Sequence, residues 1–291
     1  MTCLKRILIW TGLVIYGLLL FLLLTLYRLP VDKMLGKALA VSTKTQTQVS
    51  AETVSFALPL SYALERITCV AQWPQGATKD RLDSLSFGME WSRILSGSFP
   101  LKGEAILAQG RLEARLGVPL VGRSYLNAKG HAIHLDELSF VEVLLGRRVA
   151  GKGEGEVRLM GDVRFPADLN GRGFLRATDG SLESKLPLAG LRTIPFQSVS
   201  TFIAIQKGVL FLNEGKIEGP AVSGSFSGEV KLGERMSQSL LNITARLTPG
   251  PMVNENELAR QLVASLAEEG EPITVRLGGT LGSPSVRWEK D

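Results

Sequence analysis

From Ile106 through Val118 every second residue is apolar or glycine. Ile106, Ala108, Gly110, Leu112, Ala114, Leu116 and Val118 take one side, while Gln109, Arg111, Glu113 and Arg115 take the other. Only extended backbone turns successive side chains to opposite faces, so this period of two predicts a strand with one dry and one wet face. The same alternation recurs at Leu85, Phe87, Met89 and Trp91, at Val157, Leu159, Gly161, Val163 and Phe165, at Leu241, Ile243, Ala245 and Leu247, and at Ile273, Val275 and Leu277. Parallel strands covered on both faces would read as continuous apolar runs. The pattern therefore predicts a mainly β fold of half-buried antiparallel strands. Ala128-Lys129-Gly130 and Thr178-Asp179-Gly180 have the composition of turns between them.

An internal repeat adds shape to this expectation. Gly146–Leu159 and Gly219–Leu232 both read G-x-x-V-x-G-x-x-x-G-E-V-[KR]-L without a gap, 73 positions apart, with weaker echoes at Leu101–Leu107 and Thr274–Leu277. A unit copied along a chain predicts an extended meander. Glycine inside a strand permits bending or close approach of a neighbouring backbone, so Gly151, Gly155, Gly224 and Gly228 predict a curved sheet with a groove-like concave side. Ile106, Leu112, Leu116, Leu159 and Phe165 are the candidate apolar lining of that concave face.

Helical signals are few. Asn254-Glu255-Asn256-Glu257 reads as an N-cap with a carboxylate at the third position, followed by a stripe of Leu258, Leu262, Val263 and Leu266 and by Gly270. Asp136 to Leu145 carries Leu138, Val141, Leu144 and Leu145 at helical spacing, although the same residues could form a strand. A third candidate runs from Asp32 to Ala40.

Ahead of the β pattern, Ile7 to Leu26 contains no charged side chain and is bracketed by Lys5, Arg6 and Arg28. About 20 helical residues at ~1.5 Å rise cover the ~30 Å hydrocarbon thickness of a bilayer. This predicts a single transmembrane helix that includes Ile7, Trp10, Tyr16, Phe21 and Leu26. A cleaved signal peptide would have a shorter apolar core and a small-x-small site, which Leu26-Tyr27-Arg28-Leu29-Pro30 does not offer. The expected organisation is a tail and anchor over residues 1–29, a membrane-proximal segment over 30–45, and a β-rich domain over 46–291. Basic residues flank the anchor on both sides and leave its orientation open. The short leading tail and the long β-rich remainder predict a cytoplasmic N-terminus and, in a bacterium, a periplasmic domain at the inner membrane.

Charge and cysteine content narrow the function. The net charge is +5, but six of 33 Lys and Arg precede residue 45 against one of 28 Asp and Glu, which leaves 27 of each beyond it. The basic excess is membrane-proximal, where it favours anionic headgroups, and no basic domain suited to nucleic acid remains. Cys3 and Cys69 fall on opposite sides of the expected membrane, so no disulfide is expected and Cys69 reads as a small buried apolar residue. His131 and His134, three apart in a strand, are expected on opposite faces, which spoils a shared metal site. No nucleophile elbow, phosphate loop or paired-cysteine motif occurs, and Gly151-Lys152-Gly153-Glu154-Gly155 lies in the strand repeat without opening a helix. Glu154, Glu156 and Glu229 alternate with apolar residues and read as a solvated face. Neither catalysis nor a cofactor, metal or small-molecule substrate is expected.

The order of elements resembles a known family. After the anchor and β-rich region come Leu188-Ala189-Gly190-Leu191, Ile194-Pro195-Phe196-Gln197-Ser198-Val199, Gly208-Val209-Leu210-Phe211-Leu212, the repeat Gly224–Leu232, Ser239-Leu240-Leu241-Asn242-Ile243, and Gly279-Thr280-Leu281-Gly282-Ser283-Pro284. This series resembles the type II secretion system protein N family, most closely from Leu188 to Pro284 and only in general pattern before Leu188. The closing Gly-Thr-Leu-x-x-Pro element is also similar to AsmA-like periplasmic proteins. The first resemblance implies a non-catalytic inner-membrane accessory of type II protein secretion, with no transferable active-site residues and with other inner-membrane or periplasmic secretion subunits as partners. The second implies an apolar groove that binds or transfers membrane lipid.

Overall fold

The computed structural model describes residues 47–289 apart from 58–60, 74–75, 91–97, 120–122, 146, 162–167, 189–190, 234–237, 256, 258–259 and 262–270. The expected anchor (Ile7, Trp10, Tyr16, Phe21, Leu26), the Asp32–Ala40 helix, Trp91, Val163, Phe165 and the stripe Leu258, Leu262, Val263 and Leu266 lie outside the described residues.

Fourteen strands follow one another: β1 (Thr47–Ala57), β2 (Ser61–Trp73), β3 (Gly76–Met89), β4 (Ser98–Leu107), β5 (Gly110–Pro119), β6 (Tyr125–His134), β7 (Val149–Met160), β8 (Asn170–Leu188), β9 (Leu191–Gln206), β10 (Val209–Glu218), β11 (Val222–Lys231), β12 (Leu240–Pro249), β13 (Ile273–Thr280) and β14 (Ser283–Glu289). They form one open, curved antiparallel sheet in strict chain order, with β1 and β14 as its edges. A 3₁₀ turn (Leu135–Glu137) and the helix α1 (Ser139–Leu145) connect β6 to β7, and the helix α2 (Pro251–Asn254) follows β12. The helical reading of Asp136 to Leu145 therefore holds, with a break at Leu138, whose backbone is extended (φ −98°, ψ 96°). The helix suggested after Asn254 is distinct from α2. Gly250 caps α2, Pro251 is its first residue because the fixed proline φ suits that position, and it ends at Asn254, while Glu257, Arg260 and Gln261 beyond it are helical.

The curvature has a local cause. Pairing registers slip between Gly130 and Ile133 in β6, between Ala150 and Lys152 where β7 meets β8, and between Leu212 and Gly215 in β10. Ala132, Asp179 and Glu214 sit at or beside these slips in the left-handed region, with φ of 52°, 49° and 50°. An extra residue on one strand bends it and increases its twist. These bulges overturn two sequence expectations. Ala128-Lys129-Gly130 and Thr178-Asp179-Gly180 lie inside β6 and β8 and are not turns. His131 pairs with Arg111 and His134 with Lys152, so the bulge between them restores both histidines to the same, outer face.

A third correction concerns Ile106. Ala108 and Gln109 have φ of 47° and 58° and form a two-residue hairpin turn between β4 and β5. The alternation that reads as one strand is thus the end of β4, a turn and β5. Ile106 pairs with Arg111, on the face opposite Leu112, and is 42% exposed.

The outer face carries most of the charge, as the alternation predicts, together with the Phe174–Phe202 pair (ring centroids 5.2 Å apart), of which Phe202 is 51% exposed. Glu104 and Glu113 stand opposite each other and both contact Arg111, at 2.7 and 3.2 Å. Glu156 meets Lys129 at 3.1 Å and Arg158 at 2.6 Å, Glu154 lies 3.7 Å from Arg176, and Glu229 is exposed on the same side. Hydrogen bonds from Arg158 first, and from Lys129 second, hold the Glu156 carboxyl below its ordinary range. A carboxylate depressed in the folded state favours folding above its unfolded pKa, and that contribution is lost as pH falls through the folded one. The Glu156 carboxyl carbon, followed by NMR, is expected to titrate below free glutamate and to move upward in Arg158→Ala.

Candidate functional site: the apolar concave face

Following the pairing registers reveals what no single strand does. Phe56, Tyr62, Phe87, Gly103, Ala114, Ala128, Val157, Gly173, Ile203, Leu212, Gly228, Ile243, Leu277 and Val286 are successive cross-strand partners, one from each strand. None is charged. At about 4.8 Å per strand step this apolar row is roughly 60 Å long. Aromatic contacts reinforce its first three positions, with ring centroids 5.1 Å apart for Phe56 and Tyr62 and 5.2 Å apart for Tyr62 and Phe87.

Two shorter rows flank it on the same face. Leu101, Leu116, Leu126, Leu159, Gly171, Ile205, Leu210, Val230 and Leu241 run across β4 to β12. Ala105, Leu112, Gly130, Gly155, Leu175 and Thr201 run across β4 to β9. Leu112, Leu116 and Leu159 therefore share the concave face, as the sequence suggests, whereas Ile106 does not. These three leucines are half-buried. The described residues include no second sheet to cover them.

Glycines recur along these rows because the strands approach closely there. A Cβ on Gly173 would lie 2.4 Å from the Glu156 carbonyl oxygen, and one on Gly171 would lie 2.3 Å from that of Arg158. The repeat places its paired glycines equivalently, since Gly155 and Gly228 both face inward on β7 and β11.

Part of the concave face is roofed by α1. Leu112, Ala128, Ile133, Val157, Leu175 and Val199 of the sheet, with Leu135, Leu138, Phe140 and Val141 above them, line a recess of about 500 Å³. That size lies within the roughly 300–1,000 Å³ of ordinary small-molecule sites. Leu138 is 6% exposed and Phe140 39%, so the roof both anchors in the recess and leaves an apolar rim. Beyond Leu135 and Leu138 a second recess of about 560 Å³ is polar, lined by Asp136, Glu142, Arg148, Ser181, Glu183 and Thr193, with Glu142 and Arg148 at 3.4 Å.

The roof is held across the trough. The Ser139 backbone N–H donates to Asp80 Oδ1 at 2.6 Å, Ser139 Oγ donates to the Lys79 carbonyl at 3.2 Å, and the Gln109 side chain donates to Glu137. Sequence reasoning missed Asp80, and the signal available was weak: an acidic residue on the apolar side of β3, opposite Cys69. Burial, and secondarily Asp80, pushes the Cys69 thiol upward, so this half-buried cysteine stays protonated and unreactive. A hydrogen bond to a charged acceptor contributes about 1.5–3 kcal/mol. Asp80→Ala is therefore expected to lower amide-exchange protection of Val141 roughly ten- to a hundredfold while leaving the protection of β9 unchanged.

No group of three or more His, Cys, Asp or Glu side chains suited to a metal occurs among the described residues. Family models, curated proteins and solved structures include none that matches this chain.

Proposed function

We propose that this chain is a non-catalytic protein, tethered to a bacterial inner membrane by residues 7–26, whose periplasmic trough holds the acyl chains of membrane lipid. The observation that carries the reading is the unbroken fourteen-residue apolar row, which no second layer covers among the described residues and which α1 roofs only in part. A soluble domain rarely leaves a contiguous apolar patch of this extent without a ligand or partner for it. The recess beneath α1 offers almost entirely apolar contact, as a hydrocarbon chain requires. The test is a photo-crosslinking residue placed in the living cell at Leu175, on the inner face, and at Arg246, exposed on the outer face of β12 and away from the recess. Lipid adducts at position 175 and none at 246 are expected; equal adducts at both positions, or none at 175, would refute the reading.

The exposed backbone edges of β1 and β14 favour a second reading, that of an accessory subunit of type II secretion which docks other subunits by strand pairing. Under it, deleting the gene traps folded exoproteins in the periplasm. Under the lipid reading, exoprotein release is unaffected.

A further inference from the structure

The outer face carries a row that the trough does not use. Lys102 on β4 pairs directly with Arg115 on β5, and Arg158 on β7 pairs directly with Arg172 on β8, with Asn127 of β6 between the two pairs. All four cationic side chains are exposed. Like charges directly opposite each other in a sheet are destabilising. The neighbouring row shows how this fold relieves such a conflict internally, since Glu104 and Glu113 also stand opposite each other and Arg111 bridges both. No described carboxylate bridges either basic pair; of the four, Arg158 alone has a carboxylate partner, Glu156. Within the row, Asn127 Oδ1 is buried and accepts no hydrogen bond. Apart from the Arg158–Glu156 contact, the row has no carboxylate partner among the described residues and faces solvent, open to an anionic surface.

The surroundings indicate the kind of surface. The row spans five strands, roughly 19 Å, on an open sheet surface, so its charges are spread and do not converge on one small anion. On one side lies the row of Glu104, Glu113 and Glu156, whose carboxylates are bridged by Arg111, Lys129 and Arg158. On the other, toward the strand ends, the next outward-facing partners are Pro100 and Gly117, which are buried, Tyr125, which is half-buried, and Met160, which is 58% exposed. A line of spread basic groups with one protruding apolar side chain at its strand end matches a membrane interface, with cations at phosphate depth and the methionine just below.

We propose that this strand end of the outer face, through Lys102, Arg115, Arg158, Arg172 and Met160, rests on an anionic bilayer surface. The trough then lies with its back near the headgroups. The experiment uses the full chain with Cys3→Ser and Cys69→Ser, labelled with an environment-sensitive fluorophore at Met160→Cys, in nanodiscs of phosphatidylcholine with or without 30% phosphatidylglycerol. A blue-shifted emission is expected only with the anionic lipid, and it should be lost in Arg115→Glu/Arg172→Glu and largely reversed by 0.5 M salt, as screening requires. Identical spectra in the two discs, or a shift that survives the double charge reversal, overturn the proposal. So does a photo-crosslinker at position 160 that captures an acidic protein segment in cells and no lipid.

Discussion

If the trough holds acyl chains as proposed, replacing Leu175 by arginine is expected to abolish uptake of a fluorescent fatty acid, a loss of at least tenfold, while the far-UV circular dichroism of the protein stays unchanged. Leu175 faces inward between its partners Gly155 and Thr201, lines the recess under α1, and is 43% exposed. That exposure leaves room for a longer side chain to reach water, so the sheet tolerates it. A hydrocarbon ligand does not, because each buried methylene contributes about 0.8 kcal/mol and a guanidinium among these contacts must shed its hydration without a partner. Arg246→Leu, on the outer face of β12 and outside the recess, is the control and is expected to leave uptake intact. Unaltered uptake in Leu175→Arg would mean that acyl chains bind elsewhere.

Gly228→Val is expected to destabilise the sheet strongly. A Cβ at this position would sit 2.3 Å from the Asn242 carbonyl oxygen and 2.5 Å from the Ile243 Cα. Both are backbone atoms of the adjacent strand, and neither can move aside by changing a rotamer. Overpacking of this kind costs about 2–3 kcal/mol, or about 4–12 °C in melting temperature at 2–4 °C per kcal/mol for a domain of this size. Its repeat counterpart is milder. At Gly155 the contacts are the Phe174 oxygen at 2.7 Å and the movable Leu175 Cδ2 at 2.9 Å, so Gly155→Val should melt above Gly228→Val. Thermal unfolding of the two variants checks both the size and the order. Equal melting temperatures within a degree of the parent would contradict the close approach.

What the sequence discloses depends on whether the signal is local. Leu241, Ile243, Ala245 and Leu247, and Ile273, Val275 and Leu277, read correctly because each set belongs to one uninterrupted strand. Ile106 misleads because the Ala108–Gln109 turn contains neither glycine nor asparagine, and a two-residue turn leaves the apolar count in step while exchanging the faces. The histidines mislead for a related reason, since a bulge at Ala132 adds a residue that composition does not announce. The helix after Asp136 was legible from its leucine and valine spacing, but its tether was not, because Ser139 and Asp80 are 59 positions apart. The fourteen-residue row is the extreme case. Its members are single apolar or glycine residues drawn from every strand, and their alignment exists only once the registers are set.

The internal repeat joins β7 to β11, an advance of four strands. Because every strand bonds only to its sequence neighbours, inserting or deleting such a unit shifts the downstream strands bodily and requires no rewiring of the rest. Four steps keep the chain direction and add about 19 Å. The length of the molecule behaves like a ruler graduated in hairpins, so duplicating the unit lengthens it by a fixed step.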